Sequence, residues 1–261
     1  MTRPSDGDLA SDASLSPSIE REQETAVAAF EQKFLVDETV ARAVLAWARA
    51  RMIADHHADP ADDGAYRVAT LYLDTPAFDV FHRAPELDGS KCRLRRYGDG
   101  GLVYVEKKTR RGDRVRKRRT AVPLPELARL AAPQRAADWP GEWFHSEVLE
   151  LGLRPVCWVR YRRTAFFGAG DHGPFRLTLD REIRGRAAHG WADGAALGSQ
   201  EEVGILADRV VCELKFRDAL PRPFKELVAE LALAPTSASK YRRIVVAAGL
   251  AAERNGAGPG T

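Results

Sequence analysis

Apolar and charged residues alternate over at least six segments of the chain. Residues 28–36 place Phe30, Phe34 and Val36 on one face and Glu31 and Lys33 on the other. Residues 210–216 separate Val210, Cys212, Leu214 and Phe216 from Val211, Glu213 and Lys215. A period of two is that of a β-strand, in which residues two apart share a face. The same spacing recurs at Arg93/Arg95, Glu106/Lys108, Tyr161/Arg163 and Arg176/Asp180, with Thr178 between the last two. The pattern predicts a sheet with one apolar face and one densely charged face.

Further strands are expected at 67–74, at 91–97 and 102–108 around the turn 98–101, at 115–122, and at 156–167 and 175–183. Residues 78–82 read as a short strand or turn. A helix is expected over 38–53, with Asp37 as N-cap and Val40, Val44, Trp47 and Arg51 as its stripe. Residues 123–151 read as helix in two pieces broken by Pro133 and Pro140, 184–208 as a long irregular loop, and 223–233 and 237–248 as closing helices. Residues 1–26 and 251–261 read as loose tails around one domain over 27–250. Many antiparallel strands with a few helices give an α+β class, its sheet curled into a barrel.

Composition narrows the function. The chain has 261 residues, 44% of them hydrophobic, enough for a sizeable core, and a net charge of only +3. The charge is uneven: residues 91–119 hold thirteen Lys/Arg against three Asp/Glu, a block that attracts anions. Cys92, Cys157 and Cys212 are few, far apart and odd in number, and read as small strand residues of a reducing compartment. The histidines show no metal-ligand spacing with the cysteines or with each other. There is no Walker-type loop and no GxSxG elbow. No long apolar run and no signal-peptide core make the cytoplasm the expected location.

A solvated sheet face usually mixes Thr, Ser and Gln with its charges, whereas this face is mostly Arg and Lys. Stacked like charges cost stability and need a counter-charge, which Glu31, Glu106, Asp180 and Glu213 supply only in part. A polyphosphate with its metal ion would complete the balance. Nucleic acid fits less well, because aromatic residues are not interleaved with the charges and the acids would repel a backbone.

Nine short segments then occur in a familiar order: Glu31-Gln-Lys33, Leu71-Tyr-Leu-Asp-Thr75, Arg93-Leu-Arg95, Glu106-Lys-Lys108, Lys117-Arg-Arg119, Tyr161-Arg-Arg163, Arg176-Leu-Thr-Leu-Asp180, Glu213-Leu-Lys215 and Ser239-Lys240-Tyr241. In this the chain resembles the VTC-domain polyphosphate polymerase family, within the triphosphate tunnel metalloenzyme superfamily. The resemblance implies an eight-stranded antiparallel β-barrel tunnel with flanking helices, a Mn²⁺ or Mg²⁺ ion, and transfer of the ATP γ-phosphate to inorganic polyphosphate. By position, Lys33, Arg93, Arg95, Lys108, Arg163 and Arg176 would grip phosphates. Arg83, Lys117 (with Arg116 as competitor), Tyr161, Lys215, Ser239 and Lys240 would bind substrate, the last two closing one mouth. Glu213 is the foremost metal ligand, with Glu31 and Glu106 beside it. The hydrolytic branch of the superfamily opens with Glu-x-Glu-x-Lys, and here the first position is Ala29. That favours a polymerase over an inorganic triphosphatase; a non-catalytic polyphosphate- or nucleotide-binding module would use the same cations and stays open beside it. Family relatives can be attached to membrane assemblies; no residues here identify such a partner.

Overall fold

The computed structural model describes residues 23–112, 114–135, 137–170, 173–191 and 202–251. Its strands are β1 (Gln23–Val36), β2 (Ile53–Ala54), β3 (Ala65–Asp74), β4 (Ser90–Tyr97), β5 (Leu102–Arg111), β6 (Arg114–Pro123), β7 (Arg154–Gly170), β8 (Gly173–Ala187), β9 (Val203–Gly204) and β10 (Val210–Phe216). Its helices are α1 (Glu38–Arg51), α2 (Asp79–His82), α3 (Glu142–Glu150), α4 (Arg222–Glu230) and α5 (Lys240–Ala247).

Eight strands follow one another in the order β7-β3-β4-β5-β6-β1-β10-β8, and β8 pairs back onto β7, so the antiparallel sheet closes into a ring. The short β2 and β9 add to β7 and β8. Closure removes the free sheet edges and gives the alternation a meaning that the sequence leaves open. The charged face is the inside. The outward apolar face is covered in two places. Phe34, Cys212, Leu214 and Phe216 pack with Val44, Trp47, Phe224 and Leu227 of α1 and α4. Leu71, Leu94, Val105 and Val122 pack with Leu127, Leu130, Phe144 and Val148 from a 3₁₀ helix (Leu124–Ala131) and α3.

The inside is not charged throughout. Tyr72, Cys157, Val159 and Val211 form a third cluster with Tyr241, Ile244 and Val245 of α5. Gly185 on β8 allows this approach: a Cβ there would stand 2.5 Å from the Trp158 carbonyl oxygen and 2.7 Å from Ile244. Asp74, at the end of β3, locks the same region. Its carboxylate accepts hydrogen bonds from the Val80 and Phe81 amides (2.8 and 2.9 Å) and from the Tyr241 hydroxyl.

Several boundaries differ from expectation. The helix after Asp37 forms, with the Asp37 side chain accepting from the Val40 amide, but it ends at Arg51 rather than residue 53, where β2 begins. β1 begins at Gln23 rather than residue 28, and β8 runs on to Ala187 into the expected loop. Within the run 78–82, Asp79–His82 form α2 after Phe78, and the Asp74 carboxylate takes the Val80 and Phe81 amides that a strand would have paired elsewhere. The first part of 123–151 is 3₁₀ and the second is α3. Most of each expected tail (1–22 and 252–261) and residues 192–201 of the expected loop lie outside the described residues. All three cysteines are buried on strands, and burial pushes the Cys92 and Cys212 thiols up to about 12. Among the described residues, no helix is long and apolar enough to cross a membrane.

Candidate active site

A cavity of about 1240 Å³ runs into the ring beside α5. Neighbouring strands supply its walls in register: Lys33 of β1 lies opposite Glu213 of β10, and Glu31 opposite Lys215. The four form one cluster. The Lys215 ammonium is 3.1 Å from a carboxylate oxygen of Glu31 and of Glu213, and that of Lys33 is 3.7 Å from both residues. Lys108, reaching across from β5, is 2.5 Å from Glu31.

Burial opposes ionisation of Glu31, yet Lys215, Lys108 and Lys33 together hold its carboxyl at about 2. The same lysines hold Glu213 well below the usual carboxylate range against burial. Two ionised carboxylates on adjacent strands are hard oxygen donors of the kind Mg²⁺ or Mn²⁺ prefers, so the donor set fits a divalent ion. For Lys108, burial outweighs the attraction of Glu31 and pushes the ammonium down to about 7.

The deeper wall is arginine. Arg93 Nε is 2.7 Å from Glu106, and Arg163 meets Asp180 through two nitrogens at 2.6 and 2.8 Å. Lys240, at the start of α5, shares Asp180 Oδ2 with Arg163 at 2.6 Å and lies 4.9 Å from the centre of the Tyr161 ring. Arg95 is buried and donates to Thr70 Oγ1 at 3.3 Å. Among the described residues, no carboxylate lies within ion-pair distance of Arg95. At the mouth, Ser239 caps α5 and its hydroxyl also accepts from Lys91 Nζ at 3.2 Å.

Of the residues anticipated from sequence, twelve line this cavity: Glu31, Lys33, Arg83, Arg93, Arg95, Lys108, Tyr161, Arg163, Glu213, Lys215, Ser239 and Lys240. Glu106, Lys117 and Arg176 do not. Glu106 is fully buried among cations, 2.6 Å from Lys117, 2.7 Å from Arg93 and 3.6 Å from Arg119. Between the two candidates Lys117 and Arg116, it is Lys117 that points inward onto Glu106. Arg176 is drawn aside by Asp55 (2.7 Å) and the Tyr66 hydroxyl (3.2 Å).

Lys91 is the residue that sequence reasoning passed over. It lines the cavity, has no carboxylate within ion-pair distance among the described residues, and is pushed down to about 8 by burial and by Lys33, Arg93, Arg83 and Arg242. Its signal was available: it stands two residues before Arg93, in the same alternation. The histidines need a correction as well. Potential ligand atoms of Asp55, His56 and His57 lie within 4.8 Å of one another, although their spacing suggested nothing. Asp55 is already committed to Arg176, however, and after burial and His56, the charges of Arg119 and Arg176 also depress the His57 pKa. This corner therefore suits a cation poorly.

The chain is similar to solved structures of a candidate adenylate cyclase from Bacillus halodurans (11% identity, 80% of this chain and 92% of that one, TM-score 0.47). It is similar to a candidate adenylyl cyclase from Hippeastrum described as having a dominant triphosphatase activity (13% identity, 83% and 95%, TM-score 0.47). A candidate adenylate cyclase from Vibrio parahaemolyticus is a third (17% identity, 84% and 98%, TM-score 0.47). No curated protein matches the chain. The family model of the VTC domain matches residues 28–248, nearly the whole described fold, and the chain belongs to the VTC domain family.

Proposed function

We propose that this protein transfers the γ-phosphate of ATP onto a growing inorganic polyphosphate chain held in the ring. The observation that carries the reading is the pair Arg95 and Lys91, cations inside the cavity wall without a carboxylate partner among the described residues. A cation held out of bulk water without a paired anion leaves donors free for one, and a chain of phosphates lying along the wall would pair both. Arg93, Arg95 and Arg163 suit bidentate contact with phosphate oxygens, while Lys33 and Lys215 act as point charges. Phosphoryl transfer needs in-line positioning and charge neutralisation more than covalent help. The acceptor phosphate is already anionic, so no general base is required. A divalent ion held by Glu31 and Glu213 would supply Lewis-acid neutralisation of phosphate charge.

Transfer is favoured over hydrolysis by Ala29. It lies opposite Val115 on β6, so the position where the hydrolytic branch carries its first glutamate has no carboxylate on either strand. The test is incubation with ATP and Mn²⁺, followed by gel analysis for polyphosphate and parallel assay of free phosphate. Long chains are expected from the wild type and none from Arg95→Ala or Lys33→Ala, both still folded by circular dichroism. Phosphate release without chains would identify a triphosphatase, and intact ATP a binding module.

A further inference from the structure

Residues 110–119 hold seven Lys/Arg against one acid, and the hairpin of β5 and β6 sorts them onto two faces. Lys108 lies opposite Lys117, and both point inward, onto Glu31 and Glu106. One residue on, Thr109 lies opposite Arg116, and Arg111 lies opposite Arg114. These stand on the outer face, with Lys107 and Arg118. Helix α3 takes up the last two: Lys107 is 2.6 Å from Glu147, and the Arg118 guanidinium covers the Trp143 ring at 4.2 Å. Arg111, Arg114 and Arg116, nearer the turn, are exposed. Among the described residues, no carboxylate lies within ion-pair distance of any of the three.

Arg111 and Arg114 face each other directly, and Arg116 follows Arg114 two residues on along β6. Like charges so placed repel. The hairpin end is nevertheless held in place. The Arg110 amide donates to Gly89 O at 2.8 Å, and a Cβ on Gly89 would stand 2.2 Å from the Arg110 carbonyl oxygen, so the two segments pack backbone to backbone. Arg110 Nε donates to Gly112 O at 2.9 Å. Arg110 and Gly112 are exposed and line the cavity, which puts the turn on its rim. One short turn thus has the cavity on one side and three guanidinium groups without an acid partner on the other.

We infer that Arg111, Arg114 and Arg116 form an outer subsite for a long polyphosphate chain, which crosses the hairpin end as it leaves the cavity. This rests on the polyphosphate reading above, and adds to it a second place of contact and a preference for long chains over short. Guanidinium forks suit successive phosphates, and a polyanion lying across the three relieves their repulsion. A chain already held in the cavity meets them at high effective concentration. A small free anion finds only an exposed site screened by water and salt. Arg95 pairs with Tyr104, seven residues before Arg111 on β5. That is roughly 23 Å along a strand, so a triphosphate held at Arg95 ends short of the outer subsite.

The test is calorimetric titration of the full chain with triphosphate and, separately, with a long-chain polyphosphate, at low and at moderate salt. The wild type is compared with the hairpin variant Arg111→Thr/Arg114→Thr/Arg116→Thr, in which threonine suits a strand. R114T alone keeps the test alive should the triple variant unfold. A control, Arg42→Gln/Arg51→Gln/Lys225→Gln, removes three exposed cations from α1 and α4. Expected is a loss of about tenfold in long-chain affinity for the hairpin variant alone, with a shallower salt dependence and triphosphate affinity unchanged. Equal long-chain affinity in wild type and hairpin variant, with triphosphate still bound, would overturn the outer subsite alone. An equal loss in the control would overturn it too, as general charge attraction. Sedimentation with phosphatidylserine vesicles runs in parallel: vesicle binding lost in the hairpin variant at unchanged long-chain affinity would replace the subsite by a membrane-facing patch. Absence of triphosphate binding in every protein would overturn the polyphosphate reading and the subsite with it.

Discussion

Asp180→Asn tests the charge balance of the ring most directly. The Asp180 side chain is fully buried and serves two cations from different elements, Arg163 of β7 and Lys240 of α5. It therefore joins the β7–β8 seam to the helix at the mouth. Asparagine keeps the shape and removes the charge, leaving both cations buried without their shared partner. Breaking a buried pair in this way costs roughly 3–5 kcal/mol. For a chain of this size that lowers Tm by roughly 6–20 °C, at about 2–4 °C per kcal/mol. Arg163 and Lys240 also line the cavity, so a bound polyanion can replace the missing charge. Triphosphate should stabilise D180N more than it stabilises the wild type, where a ligand at a hundred times Kd contributes about 2.7 kcal/mol. Thermal and urea unfolding at low salt, with and without triphosphate, measure both effects. A loss under about 1 kcal/mol, the range of an exposed ion pair, or equal stabilisation of both proteins by ligand, would refute the reasoning.

Three more perturbations probe separate parts of the structure. Lys91→Met should weaken triphosphate binding by about tenfold; wild-type affinity should fall as pH rises through about 8, where Lys91 loses its proton, and K91R should show a shallower fall by titration calorimetry. Glu31 and Asp180 are both held at about 2 in the fold, from ordinary values of 4.5 and 3.8. The stability they contribute is present above those ordinary values and is lost as pH falls towards 2, so acid unfolding followed by circular dichroism should fall in that window and shift less steeply in E31Q. Gly185→Ala should cost about 1–3 kcal/mol by overpacking against Ile244 and the Trp158 carbonyl; unchanged urea unfolding would show that α5 yields freely.

Much of this fold was legible because strand periodicity and charge coincide. Glu31/Lys33, Arg93/Arg95 and Glu213/Lys215 each mark a strand and its charged face at once. Alternation cannot say which face becomes the interior, because that depends on β8 meeting β7, and no local pattern records the closure. The run 78–82 was ambiguous between periods, and its conformation is settled by Asp74, a residue outside it. Lys117 and Arg176 have the right spacing for the cavity, but Glu106 and Asp55 draw them elsewhere. The packing of His57 was invisible, since a loop residue has no periodicity and its ring partners come from two strands, β3 and β4.

The place of β1 in the ring has a kinetic consequence. The β4–β5–β6 meander and the β7–β8 hairpin join neighbours in sequence, whereas β1 must pair with β6 on one side and with the distant β10 on the other. Loop-closure entropy makes such non-local pairings late and slow. Until β1 inserts, β6 and β10 expose open edges that invite association between chains. The strand that carries Glu31 and Lys33 is therefore, with the β3–β7 seam, among the late staves of the ring. Glu31 meets Lys108 and Lys215 only once β1 has joined the ring, so the charged cluster forms in the same step that covers the open edges of β6 and β10.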